Sequence, residues 1–288
     1  MPENTIAYQG APGANSDLAC RKVFPDMRPL PCASFEDAFA AVNEGRARLA
    51  MLPIENSVAG RVADIHHLLP RGGLHIIGEH FQRVVHCLVA PKGATVQGLR
   101  QVHSHIQALS QCRGWLRERG LQPVTHADTA GAAADVAKWG DPTQGAIASD
   151  LAAEIYGLDV LAQGIEDAQH NTTRFLVMAK EPKAAPRGRG PVVTSMVFRV
   201  RSVPAALYKA LGGFATNGVN ITKLESYMVD GRFTAAQFYA DVEGHPDDRP
   251  MRLALEELDF FAREVRILGV YPAHPFRAEQ DQRADGQD

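Results

Sequence analysis

The sequence predicts an α/β protein in two parts, and three observations predict it. Over the first 180 residues, short apolar runs alternate with helical patterns. That order builds a largely parallel sheet flanked by helices. From Lys180 to Pro191 the chain turns to proline, glycine and basic residues with almost nothing to bury, the composition of a linker. After it, strand and helix patterns follow in the order βαββαβ, a ferredoxin-like split unit.

The elements justify this in order. Residues 5–8 read as a strand, and 14–24 as a helix after Pro12-Gly13. Ser34 and Asp37 have capping-box spacing, opening a helix with Phe35, Ala38, Phe39 and Val42 on its apolar face and Gly45 near its end. Residues 48–52 form a strand that runs into Pro53. Strands at 74–77 and 84–89 are separated by a polar stretch. A short strand begins at Val102, 108–119 is helical up to Gly120, and 123–126 is extended. An Ala-rich helix at 129–139, a strand at 145–148, a helix at 151–156 and a strand at 174–179 complete the first part. The second part reads as strand 192–200, helix 204–216 with Pro204 in its first turn, strands 219–228 and 232–241, helix 250–264 and strand 265–270. The expected domains are 1–180 and 192–277, with a linker at 181–191 and a disordered, charged tail at 278–288.

The bulk numbers narrow the function. With 288 residues and 45% hydrophobic content, the chain can bury one large core or two ordinary ones. Thirty basic and 33 acidic residues leave a net charge of −3, which offers no broad basic field for nucleic acid. Cys20, Cys32, Cys87 and Cys112 have no CxxC or zinc spacing and read as reduced, buried thiols. No secretory signal and no 18-residue apolar stretch stands out, so the expected compartment is cytoplasmic, with neither membrane nor nucleic acid as partner.

Four polar clusters stand where a strand or turn would otherwise be bland. Gln9, Gly10 and Gly13 leave a strand and enter a helix, where backbone N–H groups can converge on an anion; an ordinary tight turn is the alternative. Glu55, Asn56 and Ser57 follow a strand end, where open sheets present ligands, or else cap a helix. Ser104, Gln107 and Gln111 span a strand, a short turn and a helix face. His103 and His105 read as surface or capping residues rather than metal ligands, since a zinc site would need further ligands. Asn171, Thr172, Thr173 and Arg174 precede the apolar run from Phe175, with Arg174 suited to a bidentate carboxylate. Together they point to a polar pocket for a small carboxylated ligand.

In this order the clusters resemble the prephenate dehydratase family. The resemblance rests on Tyr8-Gln9-Gly10 with Gly13-Ala14, Pro53-Ile54-Glu55-Asn56-Ser57, Ser104-His105 with Gln107-Ala108-Leu109 and Gln111-Cys112, and Thr173-Arg174-Phe175. The second part resembles an ACT regulatory domain, in Leu207-Tyr208-Lys209 and in the stretch from Asn217 to Ser226. The resemblance implies a two-lobed catalytic domain like the periplasmic binding proteins, and conversion of prephenate to phenylpyruvate in L-phenylalanine biosynthesis. It implies no metal or other cofactor. Thr173 is the implied catalytic residue. Gln9, Gly10, Glu55, Asn56, Ser57, Ser104, Gln107, Gln111, Arg174 and Phe175 are implied to bind substrate. Phenylalanine is the implied allosteric ligand, at Ala206, Leu207, Asn217, Gly218, Val219, Asn220, Glu225 and Ser226, in a homo-dimer or tetramer. The family's motifs there read Gly-Ala-Leu and Glu-Ser-Arg-Pro, against Ala205-Ala206-Leu207 and Glu225-Ser226-Tyr227-Met228 in this chain. Arogenate dehydratase and a non-catalytic amino-acid sensor on the same fold are the competing readings.

Overall fold

A computed structural model describes residues 4–168, 170–201, 203–229 and 232–285. The elements begin with β1 (Thr5–Gln9), α1 (Asn15–Val23), β2 (Arg28–Cys32), α2 (Phe35–Asn43), β3 (Leu49–Asn56), β4 (Gly60–Arg61) and α3 (Ala63–Leu68). Then come β5 (His75–Arg83), β6 (Cys87–Ala90), β7 (Gln101–His105), α4 (Ile106–Gln111), α5 (Arg113–Glu118), β8 (Gln122–His126) and α6 (Thr129–Trp139). Next are β9 (Gln144–Ala148), α7 (Asp150–Tyr156), β10 (Asp159–Gln163) and β11 (Thr172–Ala179). The chain ends with β12 (Val192–Val200), α8 (Ala206–Thr216), β13 (Ile221–Val229), β14 (Arg232–Glu243), α9 (Arg249–Phe261), β15 (Ala262–Pro272) and α10 (Phe276–Asp285). Two compact units result, one of residues 1–65 and 80–175, the other of 66–79 and 176–288.

The first unit holds two lobes. In one, β1 lies between β2 and β3 in parallel pairing, and β11 flanks β3. Ser34 opens α2 by accepting the Asp37 N–H at 3.1 Å, which lets Phe35, Ala38, Phe39 and Val42 bury one face. Two features depart from expectation here. The Arg28–Cys32 stretch, with Pro29 and Pro31, is a strand at the sheet's edge, where a missing N–H is tolerated. β3 continues through Pro53 to Asn56, since its ladder to β1 lies at Leu49 and Ala50, ahead of the proline.

The other lobe is a mixed five-stranded sheet in the order β10-β6-β9-β7-β8. β7 pairs in parallel with β8 and β9, while β6 runs antiparallel to β9 and β10. One face buries Leu88, Val102, Leu109, Leu116 and Ile147; the other buries Ala132, Ala133, Val136, Ala146 and Ala152. The small residues of α6 allow it to lie close on the sheet. The single helix expected at 108–119 is broken at Cys112. There the Gln111 carbonyl accepts from the Asp167 N–H at 2.7 Å, and the Asp167 carboxylate takes the Gly114 N–H at 3.1 Å. A neighbouring loop has captured groups that a continuous helix would have used internally.

The second unit contains an antiparallel sheet in the order β13-β14-β12-β15, with α8 and α9 on one face. Met196, Phe198, Phe214, Phe238 and Leu258 form its core. β5 adds in parallel to β15 at Gly269↔Ile76. A Cβ on Gly269 would fall 2.1 Å from the Ile76 carbonyl oxygen, so only glycine permits this approach. The stretch at 181–191 forms no helix or strand but is held down within this unit: the Ala185 N–H donates to Val270 O at 2.9 Å, and Arg187 pairs with Asp248 at 2.7 Å. α8 begins at Ala206 rather than Pro204, because Ala205 caps it with a left-handed φ of 58°. A helix also replaces the disordered tail expected from Ala278. Arg277 pairs with the buried carboxylate of Glu79 at 2.7 Å and anchors α10 in its first turn. Residues 286–288 of that tail lie outside the described residues.

Candidate active site

A cavity of about 250 Å³ lies within the first unit, walled by both lobes. One wall comes from Gln9, Gly10 and the first turn of α1, with Pro53, Asn56, Thr173 and Phe175. The opposite wall comes from His86, His105, Gln107, Gln111, Asp128 and Thr129. Here the carboxyl ends of β1, β3 and β7 meet the amino end of β11, the residues just ahead of β6 and the first turns of α1, α4 and α6.

A continuous hydrogen-bond chain crosses its floor. The backbone fixes its first link, since Asn56 Oδ1 accepts the N–H groups of Val58 at 3.0 Å and Ala59 at 2.8 Å. Asn56 Nδ2 therefore faces inward and donates to Asn171 Oδ1 at 2.8 Å and to Thr173 Oγ1 at 2.9 Å. Asn171 in turn donates from Nδ2 to Gln111 Oε1 at 2.9 Å. The same oxygen takes a hydrogen from His86 Nε2 at 2.7 Å. Each link fixes the orientation of the next.

Two chemical consequences follow. Thr173 Oγ1 already accepts a hydrogen bond, so its own hydrogen can turn into the cavity. Burial pushes the His86 pKa below the usual histidine value, against smaller upward effects of Gln111 and Glu166. The ring is therefore neutral near pH 7, with its hydrogen on Nε2 and Nδ1 bare. The chain across the floor is thus a set of neutral, pre-oriented donors and acceptors.

Among the residues singled out from the sequence, Gln9, Gly10, Asn56, Gln107, Gln111, Thr173 and Phe175 line the cavity. Glu55, Ser57, Ser104 and Arg174 do not. Arg174 lies between Thr173 and Phe175 on β11, so its side chain leaves by the opposite face. There it is 2% exposed and pairs with Glu55 at 3.0 Å, with its guanidinium 6.0 Å from the Phe81 ring centre. The expectation that Arg174 takes a substrate carboxylate is corrected accordingly. Ser57 ties β3 to β11, donating to His170 O at 2.7 Å and accepting the Thr172 N–H at 2.9 Å. Ser104 is fully buried and donates to Ile147 O at 2.7 Å, joining β7 to β9.

His105 caps α4 through Nδ1, accepting the Gln107 N–H at 3.3 Å, and His103 contacts Gln144 at 2.8 Å. Sequence reasoning placed Asn171 in a polar cluster without giving it a role, and did not single out His86, Asp128 or Ser16. The available signals were a lone histidine in the apolar run 84–89 and the asparagine heading the Thr173 stretch.

In the second unit, the residues expected to hold phenylalanine divide between the two ends of α8. Ala206 and Leu207 are in its first turn, while Asn217 is its C-cap and Gly218, Val219 and Asn220 follow. The eleven-residue helix sets Ala206 and Asn217 roughly 16 Å apart. Asn217 Nδ2 donates to Gly213 O at 2.8 Å, and Asn220 Nδ2 to Glu243 at 3.1 Å. Glu225 pairs with Lys223 at 3.3 Å on β13, and Ser226 is exposed on the same strand.

A small polar cleft between two α/β lobes, with a ferredoxin-like unit following in the chain, defines a small-molecule enzyme or binding protein of two-lobed architecture. Residues 6–183 match the prephenate dehydratase family, and the chain belongs to it. It is 55% identical to a bifunctional N-acyl-homoserine lactone acylase/prephenate dehydratase of Komagataeibacter europaeus, over 96% of this chain and 98% of that one. It is 42% identical to an arogenate dehydratase/prephenate dehydratase of Arabidopsis thaliana, over 93% of this chain and 71% of that one. Its fold superposes with a TM-score of 0.86 on the prephenate dehydratase of Arthrobacter aurescens solved in complex with L-Phe. The two are 30% identical, with 93% of this chain and 90% of that one covered. Among the described residues no helix is long and apolar enough to cross a membrane.

Proposed function

We propose that this chain is a prephenate dehydratase that converts prephenate to phenylpyruvate, carbon dioxide and water in L-phenylalanine biosynthesis. One observation supports this reading: the Thr173 hydroxyl lines the cavity and accepts from Asn56 at 2.9 Å, which leaves its own hydrogen available to a ligand there. In the reaction the ring carboxylate leaves as carbon dioxide, and its bonding pair enters the ring. The ring hydroxyl leaves with its own bonding pair and takes a proton to depart as water. Aromatisation drives both losses. The protein's task is then orientation and a donor at the departing oxygen. An alcohol is too weak an acid to give up its proton alone, so Thr173 donates a hydrogen bond and passes on a proton that solvent resupplies.

Asn56, Gln111, Gln107, Gln9, Gly10 and Phe175 contact the substrate in this reading, while Glu55, Ser57, Ser104 and Arg174 support the walls. The second unit acts as an ACT domain that binds phenylalanine and lowers activity, in a cytoplasmic homo-dimer or tetramer. The L-Phe complex of the Arthrobacter relative supports the choice of effector. Incubation of the purified chain with prephenate, following phenylpyruvate, tests the reaction. Absence of turnover rejects it. Arogenate and an N-acyl-homoserine lactone belong in the same assay, because the two relatives carry those activities in their names. Calorimetry with phenylalanine tests the regulation, and no heat together with no inhibition at millimolar concentration rejects it.

A further inference from the structure

A cavity for a dicarboxylate is expected to contain a cation, yet no lysine or arginine is among the described residues lining it. Arg174 is turned away and paired with Glu55. Something neutral must hold the charge. The first turns of α1, α4 and α6 all reach the cavity. At α6, Asp128 accepts the Gly131 N–H at 2.7 Å, and at α4, His105 accepts the Gln107 N–H. α1 has Ala14 as its N-cap, whose side chain can accept nothing. The N–H groups of Asn15 and Ser16 donate to no protein acceptor among the described residues.

A second, independent observation lies at the same place. Ser16 is only 7% exposed, lines the cavity, and has no hydrogen-bond partner for its hydroxyl among the described residues. A hydroxyl on a largely buried residue that opens on the cavity with no protein partner is available to an acceptor on a ligand. The nearby acidic group does not supply it: Asp17 Oδ2 takes the Gly13 N–H at 2.9 Å, and Oδ1 pairs with Arg21 at 2.8 Å.

We infer that the N-terminus of α1, with Ser16 Oγ, is the subsite for one carboxylate of the substrate, namely that of the 2-oxo acid side chain. The inference rests on the proposed dehydratase reading. The choice between the two carboxylates follows from the chemistry. The ring carboxylate loses its charge as carbon dioxide departs, so holding it tightly would stabilise the ground state more than the transition state. The side-chain carboxylate keeps its charge from substrate to product and can be anchored throughout. Backbone N–H groups at a helix start suit that role.

The test uses the full chain. Ser16→Ala is expected to raise KM for prephenate about tenfold while kcat stays within about threefold, as loss of one bond to a charged group requires. Ala14→Asp supplies the missing cap from within the protein. It is expected to raise Tm and to raise KM even more than Ser16→Ala, a pairing that damage to the fold would not produce. In the wild-type chain, titration with phenylpyruvate is expected to move the amide resonances of Asn15 and Ser16. Unmoved amides, or an unchanged KM in both variants, overturns the subsite. A wild-type chain that leaves prephenate intact removes the dehydratase reading instead, and the amide titration still decides whether α1 binds a 2-oxo acid.

Discussion

Asn56 Nδ2 stands 2.9 Å from Thr173 Oγ1 and 2.8 Å from Asn171 Oδ1, joining the end of β3 to the beginning of β11 through one amide group. That amide cannot turn over, because its oxygen is held by two backbone N–H groups. The acceptor role of Thr173 towards Asn56 is therefore set by the backbone beyond Asn56, and its own hydrogen is left for another partner.

Removing the hydroxyl should remove the chemistry and spare the fold. Thr173→Ala is expected to lower kcat for prephenate by at least about 100-fold, the usual scale for a donor at a developing charge. Its Tm should shift by no more than a few degrees. Thr173→Ser should retain more activity than Thr173→Ala. Steady-state kinetics beside a thermal melt checks both.

Asn171 is 1% exposed and links Asn56 to Gln111. Asn171→Leu strips a partner from each and should cost about 1–3 kcal/mol of stability. It should also lower kcat, because Asn56 and Gln111 lose their shared brace. Urea unfolding and turnover measured on the same preparation reveal whether the two losses occur together.

The pair of Glu55 and Arg174 should behave as structure rather than as a substrate clamp. Arg174 is almost wholly buried, so Glu55→Ala takes an ion-pair partner from a buried guanidinium. A loss of about 3 kcal/mol is expected. Denaturant titration measures it, and the KM of whatever remains folded should change little.

His86 gives the protein an acid-sensitive stability. Burial lowers its pKa in the folded state relative to the usual value of 6.5. Its contribution is complete above that value, where both states are neutral. As pH falls below 6.5 the unfolded chain takes up a proton that the folded chain refuses, and stability declines until the lower folded pKa is reached. Urea midpoints measured across this range should fall with pH in the wild type and flatten in His86→Gln.

Ala205 is the only non-glycine residue with positive φ among those described, at 58°. Ala205→Gly should relieve about 1 kcal/mol of backbone strain. Calorimetric unfolding should show the second unit stabilised.

Much of this architecture was legible because apolar period and capping chemistry agree along the chain. α6 and β12 fall where their patterns place them, at 129–139 and 192–200. The remainder depended on partners distant in sequence. Pro29 and Pro31 hid β2, whose position at a sheet edge no local pattern reveals. Asp167 broke the 108–119 helix from more than fifty residues away. At the site, Thr173 and Arg174 could not both enter one pocket, since neighbours on a strand face opposite ways. That much was readable in advance; which of the two faced the cavity was not.

The turn ahead of α1 has one further role. Its Gly13 and Pro12 carbonyls accept hydrogens from Ser149 at 2.5 Å and Tyr156 at 2.9 Å, both from the opposite lobe. Gly13, at φ 88°, lies so close to Ala152 that a Cβ would fall 2.7 Å from its Cα. The lobes are riveted at one corner of the cleft, beside the amides of Asn15 and Ser16. Any widening there must shear two hydrogen bonds and part a backbone contact, whereas widening at the far rim costs neither. The first turn of α1 is thereby braced against the opposite lobe from outside its own sheet.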